Sequence, residues 1–158
     1  MKRLAIVMLS AVLGCLPVLV EAAPDARFGV NGGEVNDKNT GLTWQRCSVG
    51  THWAEGSGCV GIVKTFTFGD AQKQANGEWR VPTKDELATL LEPSRPSVPV
   101  IDTEAFPDMD ANHPSYWKYW TSTPANEERA WSVHFSIGNL NEDVDTYRFA
   151  VRLVRGGK

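Results

Sequence analysis

The residue types able to do covalent or proton-transfer chemistry are few and scattered along this chain. Three histidines, His52, His113 and His134, stand far apart, and no G-x-S-x-G elbow, H-E-x-x-H pair or phosphate-binding loop accompanies them. Cys47 and Cys59 are the cysteines left once an N-terminal leader is set aside. An even number in an oxidising compartment predicts a disulfide between them. Their spacing is not the C-x-x-C of a redox pair, and with His52 they make three zinc ligands without a fourth nearby. Asp108-Met109-Asp110-Ala111-Asn112 matches the first ligand positions of a calcium loop. His113 then occupies the glycine position and Tyr119 that of the closing glutamate, so the EF-hand fails. A looser calcium site or a solvated turn remains. The sequence thus predicts no catalytic residue, no metal ligand and no cofactor.

What the chain offers instead is aromatic binding chemistry. In a strand, Trp117 and Tyr119 face one way and Tyr116, Lys118 and Trp120 the other. That alternation has two readings. Some rings lie outside the core and stack on the C–H face of a pyranose, while Asn, Asp or Arg groups bond its hydroxyls; or the rings fill both sides of a central strand. A proline-rich stretch, Pro93 to Pro114, runs straight into Tyr116-Trp117, the loop between the cysteines carries Trp53, and Arg129 precedes the strand that begins near Trp131. If those two loops meet at one end of a sheet, Trp53, Tyr116, Trp117 and Arg129 form a shallow ligand surface with a cation at its rim.

The elements that must position these groups are legible in part. Trp79 and Val81 alternate around Arg80 as in a short strand, which Pro82 ends by removing a backbone donor. Thr83 to Glu86 reads T-x-x-E, a capping box, so a helix is expected from Lys84, with Leu87, Leu90 and Leu91 on one face and Pro93 as its limit. Thr67 and Asp70 predict a second, earlier helix start, with Asn76-Gly77 as its stop. Before it, Gly32-Gly33 opens a hairpin whose returning strand, Leu42 to Arg46, puts Leu42 and Trp44 on one face. Gly61 to Phe68 reads as another strand. Beyond the prolines, Trp131, Val133 and Phe135 alternate with Ser132, His134 and Ser136, an acidic turn spans Asn141 to Asp145, and Tyr147 to Arg155 returns. Phe149, Val151 and Leu153 are expected inward on that last strand, with Arg148 and Arg152 on its other side as solvated or ion-paired cations.

Lys2 and Arg3 followed by the apolar run Leu4 to Val20, with small residues through Ala22, read as a secretory leader over residues 1–22, leaving a domain over 23–158. Pro17 and the run's length, short of the ~20 residues a bilayer needs, argue against a spanning helix. Val12-Leu13-Gly14-Cys15 keeps a second route open, in which Cys15 is the lipidated first residue of an anchored protein. Cleavage after Ala22 removes Lys2, Arg3 and Glu21, so Lys+Arg falls from 16 to 14 and Asp+Glu from 19 to 18. The resulting acidic balance argues against nucleic acid as a partner.

Six segments, in order, carry a resemblance: TGLTWQRC at Thr40 to Cys47, Cys59 with Gly61, WRVPTKDEL at Trp79 to Leu87, YWTST at Tyr119 to Thr123, WSVHF at Trp131 to Phe135, and VRLVR at Val151 to Arg155. Together they resemble the C-terminal domain of the Legionella collagen-like adhesin and its bacterial relatives. The resemblance implies an exported bacterial α+β domain, distantly similar to the C-type-lectin and formylglycine-generating-enzyme superfamily, and for the adhesin it implies sulfated-polysaccharide binding and trimer formation. The collagen-like repeats are absent here, as are the E-P-N or Q-P-D and W-N-D calcium signatures of lectins. Both cysteines match structural positions of the family and so leave no free pair for formylglycine chemistry.

The expectation is therefore a single α+β domain: an antiparallel meander with two short helices, long loops and one disulfide, C-type-lectin-like. Its expected role is non-catalytic recognition of a polysaccharide, including a sulfated glycan, at or outside the cell surface, in the periplasm or beyond. The alternatives are a protein-binding envelope component, subunit or inhibitor, and an enzyme of unknown type. No membrane span is expected after processing.

Overall fold

The computed structural model describes residues 26–96, 98–109 and 117–157; the expected leader and Tyr116 lie outside them. The chain opens with strands β1 (Phe28–Asn31), β2 (Glu34–Asp37) and β3 (Leu42–Gln45), joined by the hairpin turn at Gly32-Gly33 and a turn over residues 38–41. They pair antiparallel, and β3 takes as its other neighbour the last strand, β9 (Val154–Gly156), giving the order β1-β2-β3-β9. Register sorts the side chains. Val35, Trp44 and Val154 are partners across β2, β3 and β9 and are fully buried, so Glu34 and Gln45, and Asn36, Thr43 and Arg155, lie on the opposite face. The turn after β2 is built on Asp37, which accepts from Asn39 N at 3.0 Å, Thr40 Oγ1 at 2.9 Å and two nitrogens of Arg27 at 2.9 and 2.6 Å.

A small second sheet holds β4 (Thr51–Ala54) and β5 (Gly58–Gly61). Cys59 is bonded to Cys47, which fastens this hairpin to the end of β3 as expected. At its root Gly50 and Gly61 cross with φ of +103° and +120°, so close that a Cβ on Gly61 would stand 2.7 Å from Gly50 O. Only glycine fits there. The strand expected over Gly61 to Phe68 stops at Gly61; from residue 62 to residue 67 the backbone is irregular apart from one bridge between Phe66 and Phe149.

Helix α1 (Phe68–Gln72) begins at Thr67, whose hydroxyl accepts from Asp70 N at 3.3 Å. Asn76-Gly77 is not its stop. It belongs to a tight turn in which Asn76 and Trp79 exchange backbone hydrogen bonds at 2.9 and 3.1 Å. Helix α2 (Lys84–Ala88) carries the expected capping box: Glu86 N donates to Thr83 Oγ1 at 3.2 Å and Thr83 N to Glu86 Oε2 at 2.8 Å. Arg80 adds two bonds of 2.7 Å to the same carboxylate and holds it below the usual carboxylate range. Arg80 also pairs its own backbone with Val154 at 2.9 Å in both directions, so the start of α2 is tied to the edge of β9.

The third sheet is β6 (Lys118–Pro124), β7 (Arg129–His134) and β8 (Asn139–Val144). Asn141 to Asp145, expected as a turn, is thus mostly strand. Its charge is tolerated because Lys118 reaches Asp143 at 2.7 Å and Ser132 Oγ donates to the same carboxylate at 2.6 Å. Tyr147 to Arg155, expected to close this meander, instead leaves it. Phe149 bridges Phe66, Ala150 exchanges bonds with Lys118 and Trp120 at 3.0 Å, Val151 O accepts from Val49 N at 2.9 Å, and Leu153 O accepts from Gln45 N at 2.9 Å.

Because that segment lies along the free edge of β6, the aromatic cluster has protein on both sides. Tyr119 and Trp117 enter one hydrophobic cluster with Trp44, Leu87, Leu90, Ile101, Phe106 and Phe135, while Trp120 enters another with Val81, Val151 and Leu153. Trp117, expected on an exposed stacking surface, is 6% exposed. This corrects the expectation.

Arg152 is ion-paired, one of the two states expected for it, but in the core rather than at the surface. It is 1% exposed, and its guanidinium meets the Asp108 carboxylate, which also accepts from Ser48 N. Further bonds run from Arg152 to Ser48 Oγ at 3.1 Å and to the carbonyls of Gln45 and Arg46; Ser48 Oγ in turn bonds Tyr119 OH at 2.7 Å. Asp108 is therefore a buried, ion-paired residue and not a solvated one, while Asp110 to Asn112 of the calcium-like stretch lie outside the described residues. Around it, Ile101, Ala105, Phe106 and Met109 are buried, so this part of the long loop is core rather than surface.

These contacts set three expected outcomes for stability. Asp108→Ala should cost about 3–5 kcal/mol in urea unfolding, because it leaves a buried guanidinium uncompensated; a loss below about 1 kcal/mol would show that the pair is not essential. Trp117→Ala should likewise cost about 3–5 kcal/mol as a core truncation. Burial pushes the Tyr119 hydroxyl up to about 12. An unfolded tyrosine ionises near 10, so this residue's contribution is complete below about pH 10 and is lost as pH rises through about 12. Unfolding free energies measured in that window should fall less steeply in Tyr119→Phe than in the native domain.

Candidate functional site

The outer face of the four-stranded sheet and the disulfide-fastened hairpin enclose a cleft of about 390 Å3, lined by Gly33, Glu34, Gln45, Cys47, Thr51, His52, Trp53 and Trp79. Its floor is set by register, since Glu34 and Gln45 are direct cross-strand partners on the face turned away from the core. One wall is set by the disulfide. Cys59 is the cross-strand partner of Trp53, so the bond to Cys47 at the end of β3 brings Trp53 and His52 over that floor. The other wall is Trp79, delivered by the segment whose Arg80 pairs with Val154.

Both indoles are half-buried and each carries a guanidinium. Arg46 stacks on Trp53 with 3.6 Å from its central carbon to the ring centroid, and Arg155 stands 4.7 Å above Trp79. Neither cation lines the cleft. Arg46 donates to Gly32 O at 3.3 Å and Glu104 O at 3.1 Å, and Arg155 donates to Glu34 Oε2 at 2.7 Å. Trp53 Nε1 donates to Glu55 at 3.1 Å. Behind Trp53 the backbone comes close: a Cβ on Gly33 would lie 3.3 Å from the Cβ of Trp53. The indole therefore has a fixed seat between the β1–β2 turn and Arg46.

Of the residues expected at a ligand surface, Trp53 lines this cleft and Trp117 does not, being core. Arg129 is exposed at the start of β7, where it donates to Glu142 O at 3.1 Å, and is not among the lining residues. Tyr116 lies outside the described residues. The two described histidines are placed apart, one in the cleft and one on β7. His52 lines the cleft, His113 is outside the described residues, and His134 bonds Ser136 Oγ through Nδ1 at 2.8 Å, its imidazole held below its usual range chiefly by burial.

Sequence reasoning does not single out Glu34, Gln45, His52 or Trp79 as ligand-binding. A signal for the first two exists in the alternation of β2 and β3, where Val35 and Trp44 point in and leave Glu34 and Gln45 out. Nothing local signals that Trp79 and Trp53 share a cleft, because 26 positions and the disulfide separate them.

As chemistry, the cleft joins two flat apolar faces to a carboxylate, a carboxamide, an imidazole and a hydroxyl. Among the described residues no group of three or more His, Cys, Asp or Glu is placed to hold a metal ion, and no helix is long and apolar enough to cross a membrane. A search of curated proteins returned no match. The family model of the Lcl C-terminal domain matches residues 33–155, a span that contains the disulfide and every lining residue of the cleft. The chain belongs to the Lcl C-terminal domain family.

Proposed function

We propose that this chain is an exported, non-catalytic recognition domain that binds polysaccharide in the cleft between the β4–β5 hairpin and the outer face of the β1-β2-β3-β9 sheet. One observation carries the reading: Trp53 and Trp79 line the same cleft as Glu34, Gln45 and His52. A pyranose presents apolar C–H faces and a rim of hydroxyls. Indoles match the faces by dispersion and quadrupole attraction, while the carboxylate, amide and imidazole match the hydroxyls as acceptors and donors. The Trp53 indole is already packed between the β1–β2 turn and Arg46, which limits the entropy lost on binding. A glycosidase of the usual kind needs two carboxyl groups across the bond it cleaves. Among the described residues Glu34 is the one carboxylate lining this cleft, and Arg155 is bound to it, which favours binding over hydrolysis.

A protein partner at the cell envelope is the second reading. Val60 and Ile62, 36% and 75% exposed near the root of the hairpin, where Val60 is the cross-strand partner of His52, favour it.

A glycan array, followed by calorimetry on the best ligand, tests the first reading. Trp53→Ala should weaken binding roughly tenfold or more, as the loss of an anchoring aromatic does, while the melting transition stays close to that of the native domain. Glycan affinity unchanged by Trp53→Ala would move the site elsewhere. Silence across the whole array would remove the polysaccharide reading and leave the protein partner.

A further inference from the structure

Resting on the reading of the cleft as a glycan site, we infer that it takes an uncharged pyranose chain and turns away sulfated or uronic-acid chains. The inference comes from where the cations are. Sulfate and carboxylate groups on a glycan are bound by arginine or lysine donors facing the ligand, most strongly in paired, forked geometry. Among the described residues no arginine or lysine lines the cleft; the ionised lining group is the Glu34 carboxylate on its floor. The two arginines stacked on its indoles are engaged. Arg155 is ion-paired to Glu34 at 2.7 Å and lies over Trp79, and Arg46 lies over Trp53 with both of its terminal nitrogens donating to backbone carbonyls.

An anionic substituent entering the cleft would therefore meet Glu34 as a like charge, or would have to take Arg155 from it. A neutral hydroxyl meets Glu34 as an acceptor, needs no charge compensation, and leaves the ion pair intact. The cost of the anion is electrostatic selection against the wrong partner.

The same signs continue on the other side of the Trp53–Arg46 stack. A second cleft there, of about 320 Å3, is lined by Arg27, Phe28, Val30 and Arg46 together with Asp102 and Glu104. Arg27 is held by Asp37 through two bonds. A chain long enough to leave the first cleft on this side meets two more carboxylates beside cations that already have partners.

Matched polymers test the inference: dextran against dextran sulfate, xylan against xylan sulfate, and agarose oligosaccharides against carrageenan oligosaccharides, titrated into the native domain by calorimetry. A neutral member should bind, its sulfated counterpart should bind roughly tenfold more weakly or not at all, and the neutral affinity should hold from about 50 to 500 mM NaCl, since screening acts on charge–charge contacts. Glu34→Gln keeps an acceptor at that position and should narrow the gap between matched members. Gln45→Glu should widen it, which keeps the test decisive if Glu34→Gln fails to fold. Tighter binding of sulfated members, lost in Trp53→Ala, would overturn the inference and leave the proposed site standing. Sulfated binding that survives Trp53→Ala and vanishes at high salt, with no neutral member bound, would overturn both.

Discussion

The ion pair between Arg152 and Asp108 is the constraint on which the rest of the structure depends. A guanidinium and a carboxylate removed from water cost several kcal/mol each unless their bonding capacity is met. Here it is met by groups from four separate parts of the chain: the carbonyls that end β3, Ser48 just after the disulfide cysteine, Tyr119 of β6 through Ser48, and Asp108 of the long loop. None of these is near another in sequence except the first two. Satisfying one buried cation therefore fixes how the first sheet, the third sheet and the loop meet, which apolar contacts alone, being non-directional, specify less sharply.

That network reaches the cleft through adjacent residues. Arg46 gives its carbonyl to Arg152 on the inner side and its own guanidinium to the face of Trp53 on the outer side. Cys47, the next residue, ties down the hairpin that carries Trp53 and His52, and Ser48 after it is locked between Asp108 and Tyr119. Three consecutive residues thus transmit the core's geometry to the cleft. The cleft is a consequence of the core's polar bonding as much as of its own lining.

Features carried by neighbouring residues are legible in the sequence, and those carried by long-range register are not. The capping box at Thr83 and Glu86, the start of α1 at Thr67, the β2–β3 hairpin that follows Gly32-Gly33 and the Cys47–Cys59 bond each rest on a rule spanning a few residues or on a count of cysteines. Trp117, and Arg152 in its burial though not in its ion pairing, depart from expectation for one shared reason. Alternation along a strand tells which residues face opposite ways, and gives no sign that both faces and the free edge are covered. The 149–154 segment does that to β6, and β6 with the Asp108 loop does it to Arg152, so partition into a wet and a dry face fails at the strands nearest the centre. The site is half legible in the same way. Trp53 can be found because a glycine-rich, disulfide-closed loop has no core to hide a tryptophan in. Glu34, Gln45 and Trp79 need knowledge of which strand lies beside which.

The six tryptophans divide along this line and show why the cleft is where it is. Trp44, Trp117 and Trp120 are buried, and their area drives the two hydrophobic clusters together. Trp53, Trp79 and Trp131 are half-buried, and each has a cation over its ring: Arg46, Arg155 and Lys84 at 3.6, 4.7 and 4.4 Å. A half-exposed indole presents a large apolar face to water, and a cation whose stem is itself apolar covers part of that face while keeping its charge solvated or paired. Covered rings resist non-specific association. At Trp131 the arrangement ends there. At Trp53 and Trp79 two such rings line one cleft beside Glu34 and Gln45, and the cations that cover them are engaged by carbonyls and by Glu34. What the cleft leaves open is therefore apolar surface and uncharged or acceptor groups, with the positive charge engaged by the fold.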